Sequence, residues 1–179
     1  MVKFVDTAKL SVSSGHGGPG CASFRREKFI EFGGPNGGDG GNGGDVVIQG
    51  DHRLTSLQDL RLRPHQRAGN GMPGMGSQKT GKRGEDSVIR LPLGTVIVNI
   101  ATGEFLMEVL DETPVFILKG GRGGLGNIHF KTSTNQAPRH SQPGEEGQEA
   151  TFSLELKIMA DVGLVGFPNA GKSTFIASI

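Results

Sequence analysis

The 179-residue sequence contains no tryptophan and no tyrosine, and all ten of its aromatic residues are phenylalanine. Cys21 is its single cysteine, which excludes an internal disulfide and a cysteine-based zinc site and leaves a small, half-buried apolar role. No apolar run is long enough to cross a bilayer. The start, MVKFVDTAKL, lacks the apolar stretch of a secretory signal, so a soluble, reducing, cytoplasmic setting is expected. The formal net charge is only +1, so binding to nucleic acid would have to come from local patches. The five histidines, at 16, 52, 65, 129 and 140, show no metal-ligand spacing and read as structural or surface residues.

What the sequence has in excess is glycine, 31 residues in all. They cluster at 15–20, 33–44, 69–84 and 120–126, and three of these blocks share a period of three. Gly34, Gly37, Gly40 and Gly43 keep that spacing, as do Gly38, Gly41 and Gly44, then Gly120, Gly123 and Gly126. Three residues per turn is the period of polyproline II, and glycine at every third position gives such a helix a bare edge that another backbone can approach. Two glycines per triplet give two bare edges. Collagen needs a long unbroken run rich in proline, which is missing here. The alternative from composition alone is flexible linker.

Strand patterns separate the glycine blocks and argue against linker. Ala8, Leu10 and Val12 alternate with polar residues, as do Phe152, Leu154, Leu156 and Ile158. Apolar runs at 46–48, 88–91, 95–100, 105–110 and 115–118 read as further strands, with a hairpin turn at Thr102-Gly103. Residues 54–60 predict one helical turn. The expected architecture is mainly β: glycine-rich polyproline II helices projecting from a small β-barrel or sandwich.

The most specific motif comes near the end. Gly166-Phe167-Pro168-Asn169-Ala170-Gly171-Lys172-Ser173-Thr174 fits the phosphate-binding loop, preceded by a strand pattern at 161–165 and followed by a helix start at 173–179. Backbone N–H groups in such a loop form a nest for phosphate at a helix N-terminus. Lys172 would sit beside the β- and γ-phosphates, and the Ser173 hydroxyl would ligate Mg²⁺. The division expected is 1–159 for the glycine-rich domain and 160–179 for the opening of an α/β phosphate-loop domain. With the loop but no later Mg²⁺-binding aspartate, the 179-residue chain alone is expected not to hydrolyse nucleotide.

Five segments together carry a family resemblance: SFRREKF at 23–29, GGPNGGDGGNGGDV at 33–46, TGKRGED at 80–86, KGGRGGLGN at 119–127 and ADVGLVGFPNAGKST at 160–174. The chain resembles the Obg family of bacterial and organellar GTPases. The resemblance implies the Obg fold, a polyproline II bundle on a β-barrel base. It implies GTP and GDP as ligands, Mg²⁺ as cofactor, a response to guanosine tetraphosphate, and a parent GTPase acting in late assembly of the large ribosomal subunit.

Three cationic clusters are candidates for contact with ribosomal RNA: Arg25, Arg26 and Lys28; Arg61, Arg63 and Arg67, with His65 among them; and Lys79, Lys82 and Arg83. Residues 61–83 contain no Asp or Glu. The competing reading of each cluster is a solvated face or internal ion pair, for example Arg26 with Glu27 or Glu31. Two other functions compete with the GTPase reading: a non-enzymatic RNA-binding module, and a partnerless polyproline II scaffold like glycine-rich ice-binding proteins.

Overall fold

The computed structural model describes residues 5–26 and 33–157. The phosphate-loop motif, Lys28, Glu27 and Glu31 lie outside the described residues. Eight strands form the base: β1 (Thr7–Ser13), β2 (Val46–Gly50), β3 (His65–Arg67), β4 (Ser87–Leu91), β5 (Thr95–Asn99), β6 (Phe105–Val109), β7 (Val115–Leu118) and β8 (Glu149–Leu156). They pair as two open sheets, ordered β3-β1-β8-β5-β6 and β4-β2-β7. A short helix, α1 (Gln58–Leu62), starts a few residues later than the sequence suggests.

Alternation decides which face is buried. Ala8, Leu10 and Val12 of β1 point inward with Phe152 and Leu154 of β8, meeting Val46, Ile48, Ile89, Leu91, Ile97 and Val109 in one core. Leu57 closes it ahead of α1. Each such side chain contributes about 1.5–3 kcal/mol relative to exposure. Thr102-Gly103 makes the β5–β6 turn, with Gly103 at φ +70°. Strand β3 was not legible: His-Gln-Arg has no apolar alternation, and backbone pairing parallel to Ser11–Ser13 at the sheet edge holds it.

The glycine blocks become six extended segments: g1 (15–21), g2 (37–44), g3 (69–75), g4 (79–85), g5 (120–126) and g6 (142–147). Each joins a base strand at one end: g1 follows β1, g2 precedes β2, g3 follows β3, g4 precedes β4, g5 follows β7 and g6 precedes β8. The other ends connect pairwise into three hairpins, g1–g2, g3–g4 and g5–g6, whose turns gather at the far end.

Backbone hydrogen bonds step between segments every three residues. Gly15, Gly18 and Cys21 donate to the carbonyls of Gly44, Gly41 and Gly38 at 2.8–3.0 Å. Gly40 and Gly43 donate to Gly124 and Gly121, and Gly81 and Gly84 to Asp39 and Asn42, all at 2.8 Å. Gly71 and Gly74 reach His16 and Pro19 at 2.8 and 2.9 Å. Gly17 and Gly20 reach Glu145 and Gln142 at 2.9 and 3.0 Å. These neighbours define two rows of three, g4-g2-g5 over g3-g1-g6.

The doubled glycines have the purpose their spacing suggested. A Cβ on Gly37, Gly40 or Gly43 would collide with backbone oxygens of g1, and one on Gly38, Gly41 or Gly44 with those of g4. None of these glycines has a positive φ, so glycine is needed here for space and not for backbone conformation. The third residue of each g2 triplet has its own task. The Oδ1 atoms of Asp39, Asn42 and Asp45 accept the N–H groups of Gly126, Gly123 and Gly120 at 2.7, 2.8 and 2.7 Å. A short side chain ending in an oxygen thus bonds g2 to a second set of donors on g5.

Candidate nucleic-acid interface

The three hairpin turns form a tip opposite the base. Residues 22–26 and 33–36 leave and re-enter it as a narrow ladder, with Phe24 bridged to Pro35 and Arg25 N–H donating to Gly34 O at 3.0 Å. The g3–g4 turn is tight enough to put Ser77 and Gln78 both at φ +60°. The third turn opens with a 3-10 helix (Asn127–Phe130), and Phe130 packs its ring 4.6 Å from that of His140.

Asn127 ties the first and third turns together. It is fully buried. Its Oδ1 accepts from Gly37 N at 2.8 Å, and its Nδ2 donates to Ser23 O at 2.9 Å and Pro138 O at 3.0 Å. Asp39 adds a further link, accepting from Gly126 N and lying 3.0 Å from His129 Nε2.

The tip carries Arg25, Arg26, Lys79, Lys131 and Arg139, all exposed. Residues 127–141 contain no carboxylate. Lys131 and Arg139 were missed by reading clusters of adjacent cations, because each stands alone in the sequence and only the hairpin arrangement brings them to the same end. The signal that could have found them was the acid-free run itself.

The three sequence clusters separate in space. Arg61 lies on α1, Arg63 just after it and Arg67 on β3, so this cluster belongs to the base. Lys79, Lys82 and Arg83 descend g4 from tip to base. Lys82 is exposed, 3.8 Å from Glu85. The Arg83 guanidinium is held by Asp45 at 2.7 Å and Asp86 at 2.8 Å, which fits the internal-ion-pair reading for that residue.

One arrangement was invisible to spacing. Asp51, His52 and Glu112 bring one possible ligand atom each within 4.8 Å of one another at the end of the base away from the tip. The Glu112 carboxylate bonded to His52 raises the imidazole above its ordinary value, and His52 lowers Glu112 in turn. Arg53 and Arg90 line the same cleft, where they disfavour a cation. No helix among the described residues is long and apolar enough to cross a membrane.

A six-segment glycine lattice on a two-sheet β base, with a phosphate-loop motif behind it in the sequence, defines a class of nucleotide-binding proteins with a projecting N-terminal domain. The family model GTP1/OBG matches residues 5–158, and the chain belongs to that family. It is 56% identical over 98% of its length to the GTPase Obg of Chlorobaculum parvum, covering 53% of that protein. It is 55% identical over 99% of its length to the GTPase Obg of Myxococcus xanthus, covering 37% of it. It is 55% identical over 98% to that of Nautilia profundicola, covering 50%. The chain spans about half or less of the length of these curated relatives.

Proposed function

We propose that this chain is the N-terminal region of an Obg-type GTPase, and that its glycine lattice docks tip-first on ribosomal RNA during late assembly of the large subunit. In this reading the six segments are polyproline II helices, and the two sheets curl into the barrel-like base of the Obg fold. Residues 166–174 hold the phosphates of GTP or GDP, with guanosine tetraphosphate as a further guanine ligand, and the parent acts in the cytoplasm. Hydrolysis belongs to the longer polypeptide, and the 179-residue chain alone does not perform it. The Ser173 hydroxyl, a hard oxygen donor, would ligate Mg²⁺, which shields phosphate charge when bound.

The observation that carries the docking reading is the tip: three turns fixed by backbone bonds, presenting cations from each, with an acid-free third turn. A rigid projection with few cations suits one RNA site, whereas general RNA binding needs a broad charged face. A non-enzymatic RNA module is the second reading, favoured by the completeness of the lattice and base within residues 5–157.

Charge reversal at Lys79, Lys131 and Arg139 together is expected to weaken binding to isolated large ribosomal subunits. It should lower the slope of log affinity against log salt by about 2–3, close to one unit per lost phosphate contact. Reversal at Arg61, Arg63 and Arg67 should leave both unchanged. Equal losses from the two sets would remove the case for the tip. Separately, Lys172→Ala in the longer parent should cost roughly a hundredfold in guanine-nucleotide affinity, the upper range for a charge-assisted contact. Unchanged affinity in calorimetry would refute the assignment of the loop.

A further inference from the structure

Six large apolar side chains stand out on one flank of the base. Phe105 and Leu106 belong to β6, the edge of the five-stranded sheet, and Val115 and Phe116 to β7, the edge of the three-stranded sheet. Leu110 lies in the connection between them, and Leu93 lies beside Gly94 at the start of β5. Phe105, Phe116 and Leu110 are 62%, 60% and 73% exposed. Scattered exposed leucines need no explanation, but apolar residues concentrated on two consecutive unpaired edge strands do.

The path of the chain identifies what lies over them. Strand β8 pairs with β5, Leu156 opposite Thr95, and β5 pairs with β6, Thr95 opposite Val109. The chain therefore leaves β8 at the end of the sheet where Leu93 and Leu110 lie. Lys157 then turns across that edge: its N–H donates to Gly94 O at 3.1 Å, and its ammonium bonds Glu108 of β6 at 2.9 Å. The last described residue is thus fastened over β5 onto β6, directed toward the apolar flank.

The relatives continue well past this point, since the chain covers 53% of the length of the Chlorobaculum parvum protein. We propose that the polypeptide following Lys157, which carries the nucleotide-binding part on the reading above, seats on the flank formed by Leu93, Phe105, Leu106, Leu110, Val115 and Phe116. The lattice and the nucleotide site are then joined by a packed apolar contact and not by the linker alone. A shift in that contact can carry a change at the nucleotide to the base strands from which all six lattice segments grow. A second copy of the chain on the same flank is the competing occupant. The fastening of Lys157 onto Glu108 favours the chain's own continuation, because it brings that continuation to the flank at high effective concentration.

Hydrogen–deuterium exchange on the full-length parent polypeptide tests this. Leu110→Glu with Phe116→Glu should raise exchange in residues 105–118 and in residues 158–165 at least tenfold. Exchange at Gly40, Gly41 and Gly43 in the lattice should stay as in the parent. The milder Leu110→Ser should move the same peptides in the same direction by a smaller factor. Unchanged exchange in 158–165 for both variants overturns the proposal. So does loss of lattice protection in both, which would make these residues supports of the base. Protection of the flank that rises with protein concentration, with a matching dimer mass, assigns the flank to a second copy and also overturns it. Guanine-nucleotide affinity measured on the same samples keeps the two ideas apart: a parent that binds no nucleotide defeats the nucleotide reading, whatever the flank does.

Discussion

Gly40→Ala is expected to destabilise the domain by about 3 kcal/mol, as overpacking added to weakened hydrogen bonds. The new Cβ would lie under 3.0 Å from the backbone carbonyl of Gly18 and from Pro19 O. Neither is the end of a side chain that can swing away, so the two rows must separate. Separation stretches the bonds on either side, Gly18 N to Gly41 O and Gly40 N to Gly124 O, both 2.8 Å. In a domain of this size the midpoint of thermal unfolding should fall by roughly 6–12 °C. Two controls distinguish space from conformation. Gly34 has nothing within 4 Å of a built Cβ and no left-handed φ, so Gly34→Ala should be neutral, or stabilise by about 0.4–1 kcal/mol through the unfolded chain. Gly103 also has open space but sits at φ +70°, so its alanine variant should lose about 1 kcal/mol to backbone strain. Thermal melts giving one common loss for all three would mean that close approach is not what the lattice glycines provide.

That contrast also marks how far the sequence could be read. A period of three with paired glycines stated that each segment has bare edges and therefore neighbours on more than one side. Gly40 and Gly41 do face g1 and g4 respectively. The pattern could not say which segments are neighbours, because every block offers the same bare edge. Pairing is decided by the base, which fixes where each segment starts, and by the turns that join them. The oxygen ladder of Asp39, Asn42 and Asp45 was also hidden: short polar residues between glycines look like solvated linker until Gly126, Gly123 and Gly120 are placed opposite them. The strands of the base were legible wherever one face is apolar, as in β1 and β8, and illegible in β3, where backbone alone makes the pair. For the candidate interface, adjacency in sequence misled in both directions. It grouped Arg83 with Lys79 although Arg83 is bonded to Asp45 and Asp86, and it passed over Lys131 and Arg139. The phosphate loop at 166–174 rests on its motif, the kind of site that local spacing specifies well because a single turn of backbone makes it.

Asn127→Ala should disorder the tip while leaving the base folded, and so separate the shape of the interface from its charge. The substitution removes the acceptor of Gly37 N and the donor to Ser23 O and Pro138 O in a site with no water access. Unpaired buried backbone groups cost about 1–3 kcal/mol each, so a local loss of about 3–4 kcal/mol is expected if the loops partly relax. Exchange should rise in residues 20–26, 33–38 and 127–141 and remain slow in β1, β5 and β8. Every tip cation is still present in this variant, yet affinity for the large subunit should fall as strongly as in the charge-reversed triple, because the turns no longer hold one arrangement. Asn127→Asp sharpens the point. It keeps the acceptor but sets a buried carboxylate against two carbonyl oxygens, which pushes its own titration upward. A buried acid whose folded value lies above its unfolded value is stabilised as pH falls, so tip protection should recover between neutral pH and pH 5, where a protonated carboxyl can donate one of the lost bonds. Full affinity in Asn127→Ala, with the tip demonstrably disordered, would mean that charge alone suffices and that the rigidity of the lattice is not used for docking.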